Sequence, residues 1–485
     1  VDWNKALNDV KMLSSKGFFH AALDHINLLE RASDDVSPEM QAALWDEEGK
    51  LHLFLADYHK SVNCFAKSIE YTTETDAWVK YNVHLAVAYR RLSEFDTAYR
   101  YLNKLIPFKD QIKTQTQGLL FLNLSAILGI YGFYDQVILN TNISLQAFST
   151  QDQARYHVSV YNNLGLAHLE RGDFAQAELY LTKALSMDTP ANMDIVAELG
   201  RLKMMQGEIR ESIRYAQTAL TLVWSRIINY EKEEMARLCH LLAHLTLWFG
   251  ERDMAIRLNE KAQLFFGQLG MWRQWQDIDS EMADWTEKPI QSPVAVEFRG
   301  LSFQQIRHFL NCLDAMNAQE LIHNEMSNVL DTRVHYVTLL ASAMHLSQED
   351  VNDLVLASRL CDYGLTALEN EVVLNPTRSP QAHAKYRQHP ILGVQMAESL
   401  NLPKSVTRII ADHHELCDGS GYPHGKRAND IDRFAKMLTV VDAYTNDVVI
   451  GHQTHSQSIA KMKLQAGTAY DEQIVGAFTT MFELQ

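Results

Sequence analysis

The sequence predicts an all-α protein, on three observations. Of 485 residues only 21 are glycine and 10 are proline, which leaves few of the turn and strand-edge signals that β structure needs. A short turn recurs as Gly17-Phe18-Phe19, Ala56-Asp57-Tyr58, Ser93-Glu94-Phe95, Gly132-Phe133-Tyr134, Gly172-Asp173-Phe174, Gly207-Glu208-Ile209 and Gly250-Glu251-Arg252. Between these turns the apolar residues fall at helical spacing, as on helices that pack on one face. Hydrophobic residues make up 47% of the chain, and its length exceeds what one core normally organises, so two or three domains are expected.

The first positions of the seven turns differ by 39, 37, 39, 40, 35 and 43 residues. Each interval fits one helical hairpin, which gives about seven hairpins over residues 1–285. In the fifth, the run NLGLAHLERGDFAQAELYLTKAL places Leu164, Gly165, Gly172, Phe174, Ala177 and Ala184 at spacings that resemble the tetratricopeptide repeat. Gly165 and Ala177 would let two antiparallel helices approach closely, and Gly172 would permit the turn between them. Leu85, Tyr89 and Ala98 support the same register in the third unit, Leu199, Gly200 and Ala219 in the sixth, and Ala255 and Ala262 in the seventh. The intervals exceed the usual period of about 34 residues, so elongated, irregular repeats are expected. A hairpin cannot bury its apolar face alone, and stacking gives a right-handed superhelix whose concave groove takes a protein or peptide.

Helical periodicity breaks over Trp285 to Gly300, which carries Pro289, Ser292 and Pro293. The expected organisation is a repeat array over 1–285, a linker over 286–300 and a second helical domain over 301–485.

In that second domain residues 413–423 read HHELCDGSGYP. The run resembles the HHExxDGxGYP signature of the HD-GYP family, metal-dependent phosphodiesterases of cyclic di-GMP in bacteria. Gly421 to Asp442, GYPHGKRANDIDRFAKMLTVVD, follows that family's pattern without gaps. Arg359 to Leu365 (RLCDYGL) falls where the family has its LHDIGK motif, His389-Pro390 with Gly393 where it has HPxxG, and residues 466–478 resemble its closing helix. The resemblance covers about residues 300–485 and implies a helical HD-GYP-type domain. It also implies metal ligands at Asp362, His389, His413, His414 and Asp442. In such a site iron or manganese ions activate a nucleophile and offset the charge developing on a phosphodiester.

Three departures bear on that chemistry. Cys361 replaces the histidine of the HD pair, Leu330 stands where the HxxRV motif of the family begins, and Leu365 replaces a lysine that would face ligand phosphates. Met326 stands where trinuclear members of the family have a glutamate. Leucine cannot ligate a metal, and Cys361 reads either as a thiolate ligand or as a buried small hydrophobe. The five remaining positions leave one iron or manganese ion, or none. Tyr422 could stack on a guanine or pack internally, and Lys426, Arg427 and Lys436 are the nearby cations that could meet a ligand phosphate, Lys436 standing in place of the family's arginine; Lys426 and Arg427 also read as solvated surface charge. His335, His383 and His424 match no ligand position.

The net charge of −16 disfavours DNA, RNA or an acidic membrane surface, since phosphate contacts need clustered basic residues. Cys64, Cys239, Cys312, Cys361 and Cys417 show no CxxC spacing, so neither a disulfide framework nor a zinc knuckle is expected. The apolar run from Gly118 to Phe133 is broken by Asn123 and Ser125 and is shorter than the roughly 20 residues of a membrane helix. No signal peptide is expected from the opening residues, and the cytoplasm is the expected compartment. Together these features point to a bacterial signalling regulator or adaptor, with a protein-binding array and a degenerate HD-GYP domain that takes cyclic di-GMP or a partner. The alternative is a metal-dependent cyclic di-GMP phosphodiesterase with an unusual site.

Overall fold

The structure, a computed structural model, describes residues 2–32, 36–148, 156–187, 193–226, 232–287, 301–322 and 327–483. Helices are the only extended elements among the described residues, and β pairing is confined to isolated bridges such as Asp418 with Arg427. The all-α expectation holds.

Seven hairpins form in chain order. They are α1 (Trp3–Ser15) with α2 (Phe19–Ala32), α3 (Pro38–Phe54) with α4 (Tyr58–Tyr71), α5 (Thr75–Arg91) with α6 (Phe95–Leu105), and α7 (Thr114–Ile130) with α8 (Tyr134–Ala147). Then come α9 (His157–Glu170) with α10 (Phe174–Met187), α11 (Met193–Met205) with α12 (Ile209–Arg226), α13 (Lys232–Trp248) with α14 (Arg252–Gln268), and a single helix α15 (Trp272–Glu287). Among the described residues no helix is long and apolar enough to cross a membrane, and the Gly118–Phe133 run lies largely in α7.

The recurring turn has one backbone cause. Its first residue has φ between 58° and 87° at all seven positions, Gly17, Ala56, Ser93, Gly132, Gly172, Gly207 and Gly250. The next N–H then reaches back to the carbonyl five residues earlier, as from Asp173 to His168 and from Glu251 to Thr246, both at 2.9 Å. This left-handed cap closes the orphan carbonyls of the first helix and reverses the chain. An eighth instance at Gly270 (φ 71°), with Met271 N–H on Phe266 O at 2.8 Å, turns α14 into α15. Within the fifth hairpin, a Cβ on Gly165 would lie 2.6 Å from Leu181 Cγ. The close approach of α9 and α10 therefore depends on that glycine.

The array closes on itself. Ser93 Oγ donates to Leu269 O at 2.8 Å and Arg273 Nη1 to Tyr131 O at 3.2 Å, which ties the third and fourth hairpin turns to the start of α15. Helix α15 extends to Glu287, two residues into the span expected as a linker; the rest of that span, 288–300, lies outside the described residues.

The second domain comprises α16 (Phe303–Ile322), α17 (Ser327–Ala343), α18 (Gln348–Leu360), α19 (Asn370–Leu374), α20 (Pro380–Tyr386), α21 (His389–Glu398), α22 (Lys404–Asp412), α23 (Arg433–Thr445), α24 (His455–Gln465) and α25 (Glu472–Thr480). One buried apolar cluster runs from α1 and α2 through α11–α15 into this domain. Both ends of the array therefore pack on it. At the first hairpin Phe18 meets Phe482, and Asp24 accepts from Ser456. At the far end Lys261 pairs with Asp314 at 2.6 Å and Lys232 with Glu320 at 2.9 Å.

Candidate metal centre

Three helix ends meet in the second domain. Asp362 follows the C-terminus of α18 and opens a tight turn, with Leu365 N–H on Asp362 O at 2.8 Å. His389 is the first residue of α21, His413 caps the C-terminus of α22, and His414 follows it. Because these residues sit at helix ends, their side chains project into the space between helices instead of along one face.

Asp362, His389, His413 and His414 bring their ligand atoms within 4.8 Å of one another. His389 Nδ1 lies 2.9 Å from Tyr386 O, and His413 Nδ1 lies 2.7 Å from Ile410 O. A carbonyl can only accept, so both Nδ1 atoms carry the proton and both Nε2 atoms present lone pairs. Those two Nε2 atoms face each other at 3.3 Å and lie 3.6 and 3.9 Å from Asp362 Oδ1. Two lone pairs and a carboxylate oxygen thus converge on one point, as the ligands of a single cation would. Burial, with help from His413, pushes His389 down to about 4. Burial also lowers His413, and it lowers His414 strongly with His413 and His389 adding to it. The imidazoles are thus neutral and in the state a metal requires. The donor set fits one ion.

Arg333 of α17 is 3% exposed and stands between the aspartates. Its Nη1 donates to Asp362 Oδ2 at 2.9 Å and lies 2.9 Å from Cys361 Sγ, while Nη2 pairs with Asp442 Oδ1 at 2.7 Å. A fixed guanidinium therefore neutralises the carboxylates beside Cys361. Burial works against the charged form of Arg333, but Cys361, Asp442 and Asp362 outweigh it and hold the group protonated. Cys361 is fully buried, and burial pushes its thiol well up. Its Sγ lies outside the four-donor group and against the Arg333 guanidinium, an arrangement that fits the small hydrophobe better than a thiolate ligand.

Asp442, expected among the ligands, is apart from the four-donor group; besides Arg333 it accepts from Asn446 Nδ2 at 3.0 Å. Leu330 and Leu365 are core residues, 4% and 2% exposed. Met326 lies outside the described residues. Lys436 pairs with Asp471 at 3.5 Å and Arg427 is exposed, so neither points to the four donors by contact. Lys426 is not a free surface charge but pairs with buried Asp412 at 2.7 Å. His383 and His424 are exposed, and His335 is taken up by the first hairpin of the array, its Nε2 on Gly17 O at 2.7 Å.

The HHE run also organises the loop that follows it. Buried Glu415 accepts from His424 N–H at 2.7 Å and Lys426 N–H at 2.8 Å. Asp418 accepts from Ser420 N–H at 2.9 Å, and the Tyr422-Pro423 bond is cis. Tyr422 stacks on His414 with ring centres 4.6 Å apart, and the Arg387 guanidinium lies 4.8 Å from the same ring. Tyr422 thus packs internally and fixes the His414 ring. Sequence reasoning missed the parts played by Arg333 and Arg387. For Arg333 a signal existed, since it is the arginine of the HxxRV pattern that begins at Leu330 and falls among the buried apolar positions Val329, Leu330, Val334 and Val337, where a charge must find a buried partner.

Comparison with known proteins agrees with this architecture. Residues 316–474 match the HD domain family and residues 158–189 the tetratricopeptide repeat. A probable cyclic di-GMP phosphodiesterase from Vibrio cholerae serotype O1 is 27% identical over 177 residues, 32% of this chain and 40% of that protein. The chain thus spans about two fifths of that relative's length. A second cyclic di-GMP phosphodiesterase from the same organism is 21% identical over 435 residues, 82% of this chain and 83% of that one. Among solved structures, the apo form of the quorum sensor NprR from B. thuringiensis aligns with a TM-score of 0.42 at 15% identity, covering 58% of this chain and 87% of that one. The chain therefore joins a helical array that contains a tetratricopeptide repeat to an HD domain, and it is similar over most of its length to a cyclic di-GMP phosphodiesterase.

Proposed function

We propose that this protein is a bacterial signalling regulator whose array binds a protein partner and whose HD domain holds at most one metal ion and does not turn over cyclic di-GMP. The observation that carries the reading is buried Cys361 in the place of the HD histidine, its Sγ outside the four-donor group and against the Arg333 guanidinium. Hydrolysis by a bridged pair of ions needs the histidines of the HD pair and of HxxRV, and here Cys361 and Leu330 stand in their places. Asp362, His389, His413 and His414 would hold a single iron or manganese ion, which would supply Lewis-acid charge toward a phosphate oxygen. The names of the relatives make cyclic di-GMP the first ligand to test. Helix α17 supports a regulatory link, because Arg333 reaches the metal centre while His335 and Tyr336 bind Gly17 and His20 of the first hairpin. A partner on the array would thereby act on the centre.

The four-donor cluster supports a second reading, a single-metal phosphodiesterase. Metal analysis of the full chain, titration with cyclic di-GMP and a turnover assay with added iron or manganese separate the two. The regulator reading expects no more than one ion at the cluster and no linear product. Linear pGpG or GMP formed by the wild type and abolished in His413→Ala would replace it with the enzyme reading.

A further inference from the structure

A second constellation of metal donors lies in the array. His240 and His244 sit four residues apart on α13, so their side chains leave one face of the helix one turn apart. Glu281 of α15 meets them from the neighbouring helix. His240 Nε2 lies 2.9 Å from Glu281 Oε2, His244 Nε2 lies 3.1 Å from the same oxygen, and the two Nε2 atoms are 3.0 Å apart.

We infer that His240, His244 and Glu281 form a zinc-class metal site that clamps α13 to α15. Three donors on a nearly equilateral triangle match one face of a tetrahedral site. Zinc bonds of about 2.0–2.1 Å to imidazole and carboxylate place tetrahedral ligands about 3.3 Å apart, a few tenths of an ångström from the separations here. Two neutral imidazoles and one carboxylate also leave the bound dication with a single net charge. Burial lowers the His240 pKa, which favours the neutral ring.

The surroundings suit the role. The opposite face of α13 is anchored by buried Leu238, Leu241, Leu242 and Leu245, so the histidine pair is held in place. Trp285 backs the His244 ring edge-on, with ring centres 5.2 Å apart. Arg237, one turn earlier, is engaged by Glu198 and Glu233. Among the described residues no lysine or arginine pairs with Glu281, which leaves the carboxylate to the two imidazoles. The three side chains are 17%, 30% and 35% exposed, so the fourth coordination position opens to water. The site is independent of the HD-domain cluster, since none of its residues belongs to the second domain.

Zinc titration of the chelator-stripped full chain tests the inference, by calorimetry and by the rise in melting temperature. Cobalt substitution reports geometry through its visible absorption. The wild type is expected to bind one more equivalent of zinc than His240→Ala/His244→Ala, and only the wild type should give the four-coordinate cobalt band of this site. In His413→Ala/His414→Ala, which removes HD-domain donors, this equivalent should remain. Glu281→Gln, which keeps the shape and a hydrogen bond to the histidines, should lose the same equivalent and supplies the test should the double variant not fold. An unchanged zinc stoichiometry and affinity in a folded double variant, or in Glu281→Gln, overturns the inference and leaves a hydrogen-bonded triad.

Discussion

Arg333 has two oppositely charged partners in a place from which water is excluded, so its removal has a predictable sign. Without the guanidinium, Asp362 and Asp442 stay buried, at 5% exposure each, and lose the cation they share. Stranding a buried charge in this way costs about 3–5 kcal/mol. Arg333→Ala should therefore lower the urea midpoint of the metal-free chain by a corresponding amount; an unchanged midpoint would show that the guanidinium is not the counter-charge. Gly364 offers a steric test nearby. A Cβ there would lie 2.0 Å from His389 O and 2.5 Å from Gly393 N, both backbone atoms. Gly364→Ala should force α21 away from the Asp362 turn, cost about 1–3 kcal/mol and weaken iron or manganese uptake at the four donors. Uptake and stability equal to wild type would refute that packing. At this scale the motifs HH, HP and CD marked the four donors in advance, because ligands at helix ends leave local sequence signatures. Arg333 was hidden, since its partners come from α18 and α23 and are set by packing between segments far apart in sequence.

Among elements, the hairpin turns were the most legible because one backbone requirement governs them all. A left-handed residue is cheap for glycine and costs other residues about 1–2 kcal/mol, so selection leaves glycine at most positions and the pattern shows. The two exceptions are informative. Ala56 and Ser93 adopt φ of 58° and 61°, and Ser93 also donates to Leu269 O. Ala56 gains nothing comparable through its methyl group. Ala56→Gly should thus raise stability by about 0.5–1 kcal/mol, after the added freedom of the unfolded glycine is subtracted, whereas Ser93→Gly should gain less or lose. Equal gains at both sites in thermal melts would remove the role assigned to the Ser93 hydroxyl. The eighth turn, Gly270-Met271-Trp272, escaped notice because no acidic or aromatic second position follows its glycine in the way of most others. The five-residue helix α19 and seven-residue helix α20 are too short for periodicity to register.

On the scale of the whole molecule, the docking of the first hairpin onto the HD domain is lined with half-buried histidines, and this makes the assembly acid-sensitive. His20 Nδ1 is 2.9 Å from Tyr336 OH, His455 Nδ1 is 2.9 Å from Tyr444 OH, and His335 Nε2 donates to Gly17 O. Burial, reinforced by His455 and His335, lowers His20 to about 3; burial lowers His455 to about 4, against the pull of Asp24, and lowers His335 as well. In the unfolded chain these imidazoles titrate near 6.5. Between that value and the depressed folded values the unfolded state binds more protons, so stability rises with pH across the window. Their contribution is complete above about pH 6.5 and is lost as pH falls toward 4 and then 3. The melting temperature should therefore drop between pH 7 and pH 5, and His20→Gln, which cannot take up the proton, should flatten that drop. A pH profile identical in wild type and His20→Gln would exclude this interface as its source. The same interface joins the array to the helix that carries Arg333, so a partner that loosens the first hairpin would share its path with the proton. A partner that stabilises the hairpin should then raise the pH 5 melting temperature more than the pH 7 value, because it offsets a docking loss present only in acid.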